Sequence, residues 1–166
     1  MKQATNQVKV PVFAEAVAYV LRESFDGSPP GEGSVYLDPG VGFFDTLGGV
    51  DATTASRLHH GSTITAHTAH AKFYLDRLCE FMEGRTEKVD WEDSWLIETV
   101  NEEEWAALQT TLRTSYEDTM RCFARIDDWT DDRVGMAIGM VAHTAYHLGA
   151  IRQMTKAGDT AKEANG

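Results

Sequence analysis

Helix-breaking residues are scarce in this chain. Only four prolines occur, at positions 11, 29, 30 and 39, so everything after residue 39 is free of the strongest interruption to a helix. Cysteine is rarer still. Cys79 and Cys122 have no CxxC spacing, which excludes a disulfide framework and leaves two buried free thiols as the expectation. Positive charge is also in short supply, with 15 Lys+Arg against 26 Asp+Glu and a net charge of −11. A field of that sign repels polyanions, so a nucleic-acid partner is not expected. Residues 1–10 are polar and lack the apolar core of a secretory signal. The longest apolar run, residues 134–142, falls short of the roughly 20 residues of a membrane span. A cytoplasmic protein without a membrane segment is therefore expected.

What remains is a composition of 42% hydrophobic and 25% charged residues over 166 positions. That suits one soluble domain large enough to bury a core without metal or disulfide staples. A single domain over residues 1–166 is expected, with loose tails at about 1–8 and 159–166.

The periodicity is helical almost throughout. A first helix is predicted over residues 12–25, with Phe13, Val17, Val20, Leu21 and Phe25 on one stripe and Pro11 at a tolerated N-terminal position. A Gly/Pro-rich loop follows, containing the best but short strand candidate, residues 33–37. Short helices are predicted at 41–47, ended by Gly48-Gly49, and near 53–57. A longer helix capped by Ser62 or Thr63 runs to Glu83, with Ile64, Ala71, Leu75, Leu78 and Met82 at three- and four-residue steps. Asn101-Glu-Glu-Glu104 reads as a capping box opening a helix that carries Trp105, Leu108, Leu112, Tyr116, Met120 and Phe123. The last helix is predicted from a cap at Asp131 or Asp132 to a stop before Gly158. Four long amphipathic helices, with extra short helices in the connections, make an all-α four-helix bundle the expected fold.

Six histidines occur, at 59, 60, 67, 70, 143 and 147. His143 and His147 are spaced i, i+4, one turn apart on one helix face with Cβ atoms about 5–6 Å apart. Two imidazoles so placed can converge on one metal ion at about 2.0–2.1 Å per bond. His67 and His70, at i, i+3 on a separate helix, offer a third ligand. Three imidazoles and an open position would leave room for a nucleophile or substrate. Half-buried histidines with ordinary hydrogen bonds are the alternative, and spacing alone leaves both open. Both pairs interrupt apolar stripes, where an unsatisfied imidazole costs free energy.

Several motifs are missing. Without HExxH there is no zincin base, and without Glu-x-x-His there is no di-iron carboxylate bundle. Neither GxGxxG, a phosphate-binding P-loop, nor a nucleophile elbow is present.

His70, His143 and His147, the phrase His143-Thr-Ala-Tyr-His-Leu-Gly-Ala-Ile-Arg-Gln153 and the helix opening Ser62-Thr-Ile-Thr-Ala-His-Thr-Ala-His70 resemble the DinB/YfiT superfamily of bacterial metal-binding bundles. The connection Asp90-Trp-Glu-Asp-Ser-Trp95 followed by Glu102-Glu-Glu-Trp105 adds to the resemblance, which spans most of residues 10–156. It implies an up-down-down-up four-helix bundle, usually a homodimer, with three histidines on a divalent ion, often zinc or nickel. His143 and His147 match directly. Counting from Thr63-Ile64, His70 is the third ligand, and His67 is a neighbour, a fourth ligand or a pocket wall. Family members with an assigned reaction include thiol-dependent transferases and isomerases, so a low-molecular-weight thiol and a small-molecule substrate are implied.

Other residues near these motifs have plainer readings beside functional ones. Tyr74 and Tyr146 lie within a turn of a proposed ligand and read as packing, or as phenol donors to the site. Arg152 reads as a surface ion pair, or as the group that binds an anionic thiol cofactor. Trp91, Trp95, Trp105 and Trp129 read as packing anchors, with Trp91 or Trp95 as a pocket wall in the alternative. His59 and His60 are expected in an exposed loop. The function expected is metal-dependent transfer to a thiol or a hydrolase-like reaction. A non-catalytic, stress-associated metal-binding dimer is the alternative.

Overall fold

The computed structural model describes residues 9–163, with side chains as far as residue 156. Six α-helices follow one another: α1 (Val10–Asp26), α2 (Phe43–Gly48), α3 (Ala52–Ala55), α4 (Ile64–Met82), α5 (Glu102–Arg125) and α6 (Asp131–Glu163). A single 3-10 turn, Glu92–Trp95, interrupts the connection between α4 and α5. Among the described residues there is no strand. The candidate at 33–37 is loop, and His59 and Ser62 form only an isolated bridge.

The long helices bury the stripes that define them. Val17, Leu21 and Phe25 of α1 face inward, as do Ile64, Ala71, Leu75, Leu78 and Met82 of α4. Trp105, Leu108, Leu112, Tyr116 and Phe123 of α5 do the same. α4 packs on both α5 and α6, and α1 packs on α6 and, less extensively, on α5. The short helices α2 and α3 close one side, where Phe25 stacks on Phe43 and on Tyr116, with ring centroids 5.3 and 4.6 Å apart.

The ends of the helices follow local chemistry. The capping box of α5 is complete, with Glu104 N donating to Asn101 Oδ1 and Asn101 N to Glu104 Oε2. Thr63 caps α4 by accepting from Ala66 N at 3.0 Å. At α6 the cap is Thr130 rather than either aspartate, because its hydroxyl accepts from Arg133 N and its carbonyl from Val134 N. Asp131 and Asp132 occupy the first turn instead, where negative charge suits the dipole. α6 also runs through Gly158 to Glu163. A glycine costs a helix only about 1 kcal/mol relative to alanine, and no proline follows to end it. Residues 159–163, expected in a loose tail, therefore continue the helix, while residues 1–8 lie outside the described part.

Between Asp131 and Lys156, α6 is long and apolar enough to cross a membrane by length and composition alone. Ala137, Met140, Thr144, His147, Leu148 and Ile151 are buried in the protein, and they make up the 33% of that apolar stretch that is buried. Its outer face is apolar too. Ile138 and Tyr146 are 52% and 68% exposed, and no charge occurs from residue 134 to 151.

The first connection is anchored by a buried carboxylate. Glu23, 2% exposed, accepts from Val35 N at 2.8 Å and Tyr36 N at 2.9 Å, which ties the loop back onto α1. Where the loop returns, a Cβ on Gly42 would stand 2.5 Å from Gly27 N and 2.6 Å from Phe25 O. Backbone on that side cannot yield as a flexible side chain would. Gly42→Ala should therefore destabilise the fold by about 1–3 kcal/mol, read as a lower urea midpoint. Gly33→Ala, with open space around its Cβ, serves as the neutral control.

Candidate metal centre

α4 and α6 pack side by side, and their paired histidines meet in the interior. His67 and His70 project from the first two turns of α4, His143 and His147 from the middle of α6. His143 Nε2 lies 2.9 Å from His70 Nε2 and 3.1 Å from His147 Nε2. One ring nitrogen from each of His70, His143 and His147 falls within 4.8 Å of the others. His147 is 2% exposed and His67 is 7% exposed.

The remaining ring nitrogens are engaged away from this meeting point. The Ser94 hydroxyl donates to Trp91 O, so its oxygen is left to accept from His70 Nδ1 at 2.6 Å. His70 therefore carries its proton on Nδ1 and turns a lone pair inward on Nε2. His67 Nδ1 and His147 Nδ1 share one proton across 2.7 Å. With that proton on His147, its Nε2 also presents a lone pair to the centre. A hydrogen bond on one ring nitrogen that fixes the lone pair on the other is the usual outer support of an imidazole ligand.

Packing holds the rings in plane. Trp95 stacks on His70 with centroids 4.0 Å apart and an interplanar angle of 19°. Tyr74 stacks on His143 at 3.6 Å and 11°, so this tyrosine meets the cluster through its ring face. His143 Nδ1 is buried without a partner.

Burial is the main force on the acidity of these rings. It pushes His147 down to about 2, with the neighbouring His143, His67 and His70 adding repulsion. His143 is pushed down to about 4 by burial and then by His70. His67 and His70 are also lowered, again chiefly by burial. All four rings are thus neutral at pH 7, the form that metal ions bind.

The donor set fits a divalent cation. Tetrahedral coordination at about 2.0–2.1 Å places ligand nitrogens roughly 3.3 Å apart, close to the two spacings between Nε2 atoms. With His143 Nε2 also unprotonated, three inward lone pairs at that distance repel one another unless a cation lies among them. A proton on His143 Nε2 would have to be shared between two acceptors. His67 stands behind His147, with its Nδ1 turned to that ring rather than toward the three Nε2 atoms.

Other candidates lie elsewhere. Tyr146 is on the outer face of α6, meeting His147 only edge to face. Arg152 lines a separate recess with Arg57 and Thr155, and none of the four histidines lines it. His59 is half-buried and His60 exposed in the loop before α4, with His60 at a positive φ of 49°. Cys79 is half-buried and donates to Thr119 Oγ1 at 3.2 Å, whereas Cys122 is buried. Trp91 packs edge-on against Phe73. Beyond Ser94, a mostly apolar cavity of about 520 Å³ opens between α4 and α5, lined by Ala69, Phe73, Ile97, Val100 and Leu108 among others. Ser94 is the contributor that spacing rules miss, since a serine in a connection carries no periodic signal, whereas Trp95, read from the sequence as a packing anchor or a pocket wall, stacks on His70. Comparison with protein-family models, curated proteins and solved structures finds no match to this chain.

The depressed histidine acidities set a pH dependence for the metal-free protein. The unfolded chain takes up protons near pH 6.5, while His143 and His147 resist protonation down to about 4 and about 2 when folded. Stability rises with pH wherever the unfolded state binds more protons. With chelator present, the urea midpoint should be highest above pH 6.5 and fall steadily toward pH 4. His143→Gln should flatten that fall, and an unchanged slope would contradict the burial of a neutral ring.

Proposed function

We propose that His70, His143 and His147 hold a divalent ion, zinc or nickel, through their Nε2 atoms at an open site in a DinB-type four-helix bundle. The convergence of three Nε2 atoms, with His70 and His147 held from behind through Nδ1, carries this reading. A bound ion would supply Lewis acidity, making a water or a low-molecular-weight thiol at the fourth position a nucleophile at neutral pH. The substrate is a small molecule, and the reaction is thiol-dependent S-transfer or a hydrolase-like variant of it.

The chain's own residues divide the remaining work. Ser94 fixes the tautomer and tilt of His70, and His67 does the same for His147. Trp95 and Tyr74 cover ring faces of His70 and His143 and hold those rings in place. Neither cysteine is near enough to the histidines to act as the protein's own nucleophile, so the thiol comes from outside. A closed four-ligand site, as in a non-catalytic stress-associated metal-binding dimer, is the second reading. It requires His67 to turn from His147 to the ion, and the Nδ1–Nδ1 hydrogen bond favours the open site instead. The resemblance also implies a homodimer, and the uncharged outer stripe of α6 is the face we assign to the partner copy.

Elemental analysis of untagged protein, purified without nickel resin or chelator, should find close to one equivalent of zinc or nickel per chain. The His143→Ala/His147→Ala variant should contain none. Metal-free wild type that takes up neither ion on addition would overturn the reading. Ser94→Ala should keep its helical content and bind metal about 10–100-fold more weakly in chelator competition. Unchanged affinity would remove Ser94 from the support of the site.

A further inference from the structure

Most of the cations whose side chains are described are already committed. Lys72, Arg77, Arg85, Arg121, Arg125 and Arg133 all lie in ion pairs. Arg113 lies over the Phe44 ring at 3.7 Å. Arg57 and Arg152 have no carboxylate or ring partner among the described residues. In a chain with 26 carboxylates, two uncommitted guanidinium groups far apart in sequence would be expected to find acidic neighbours. They line the same recess instead.

That recess, about 290 Å³, lies where the loop before α2, the α2–α3 corner and the later turns of α6 meet. Lys156 lines it as well, so three cations from two distant segments border one concavity. A single carboxylate, Asp51, shares the lining, and its Oδ1 accepts from Thr54 N at 2.7 Å as the cap of α3. Among the described lining residues, positive groups thus outnumber negative ones. Three threonines join it. The Thr155 hydroxyl donates to Arg152 O and the Thr46 hydroxyl to Val41 O. The Thr54 hydroxyl has no hydrogen bond of its own and is available as a donor.

We infer that this recess binds the phosphate group of a small molecule, at a site separate from the histidines. A guanidinium presents a fork that two oxygens of one anion can take up together, and one such fork satisfies a monocarboxylate. Two forks and a hydroxyl suit a dianion with three terminal oxygens. The concavity excludes part of the solvent screening that weakens the same charges on an open surface. The inference does not depend on a metal at the histidines.

Isothermal titration of the full-length protein with inorganic phosphate tests it, at an ionic strength held constant with chloride and with acetate as the comparison anion. Saturable 1:1 binding is expected, with acetate at least ten-fold weaker. Arg57→Gln/Arg152→Gln should raise the half-saturating phosphate concentration at least ten-fold while metal content and helical content stay unchanged. Arg57→Gln alone changes an exposed side chain, so it keeps the test available should the double variant fold poorly, and should raise that concentration at least three-fold. Absence of saturable phosphate binding by the wild type would overturn the assignment. So would equal binding by the variants, or equal affinity for acetate and phosphate.

Discussion

The hydrogen bonds between His67 Nδ1 and His147 Nδ1 and from His70 Nδ1 to Ser94 Oγ are the constraint on which the rest of the site depends. A ring nitrogen offers either a proton or a lone pair, and engaging one nitrogen decides what the other can do. Both bonds lie behind the cluster, so the Nε2 edges of His70 and His147 are turned toward His143, and that of His147 carries a lone pair when the shared proton sits on its Nδ1. Burial then keeps the rings uncharged, since a cationic imidazole in that interior would lose its hydration without gaining a counter-ion. No carboxylate is among the causes that shift these four histidines. An interior that repels protons and offers lone pairs is suited to a cation that forms stronger bonds with nitrogen than water does.

Precision at such a site comes from where its residues are mounted. All four histidines stand on long helices that pack against each other, α4 against α6, so their spacing is set by backbone rather than by loop conformation. The one contribution from a connection, Ser94-Trp95, is held in a 3-10 turn that itself packs on α4. On the far side of the molecule, Glu23 and the close approach at Gly42 tie the first loop onto α1. These two anchors position α2 and α3, and with them the wall of the cationic recess.

Charge is distributed by the same logic. The acidic excess is spread over exposed helix faces, where ion pairs such as Lys72–Asp76 and Arg77–Glu80 are worth little individually. The outer face of α6 carries none of it between residues 134 and 151. Arg57 and Arg152, separated by most of the sequence, line one recess between the α2–α3 corner and the later turns of α6. The histidine cluster proposed to hold a metal and the cationic recess thus draw on different parts of one helix, α6, at His143–His147 and at Arg152.

The helical character, the long elements and the buried stripes were legible in the sequence, because a 3.6-residue period records directly which face of a helix meets the core. The Asn101–Glu104 capping box was legible for a similar reason, its partners being three residues apart. The pairing of histidines within each helix could be read the same way. Spacing left open which of His67 and His70 belongs with His143 and His147, since i, i+3 places both near one face. Packing of α6 on α4 decided it, by turning His70 Nε2 toward His143 and His67 Nδ1 toward His147. The roles of Ser94 and Trp95, the cap at Thr130 and the meeting of Arg57 with Arg152 also waited on tertiary structure. Each depends on a contact between residues without a periodic relation, or on a choice between adjacent polar residues that pattern alone does not separate. Local periodicity by itself determined the helices and their faces, and the docking of those faces decided which side chains share a site, because distance across the core is independent of distance along the chain.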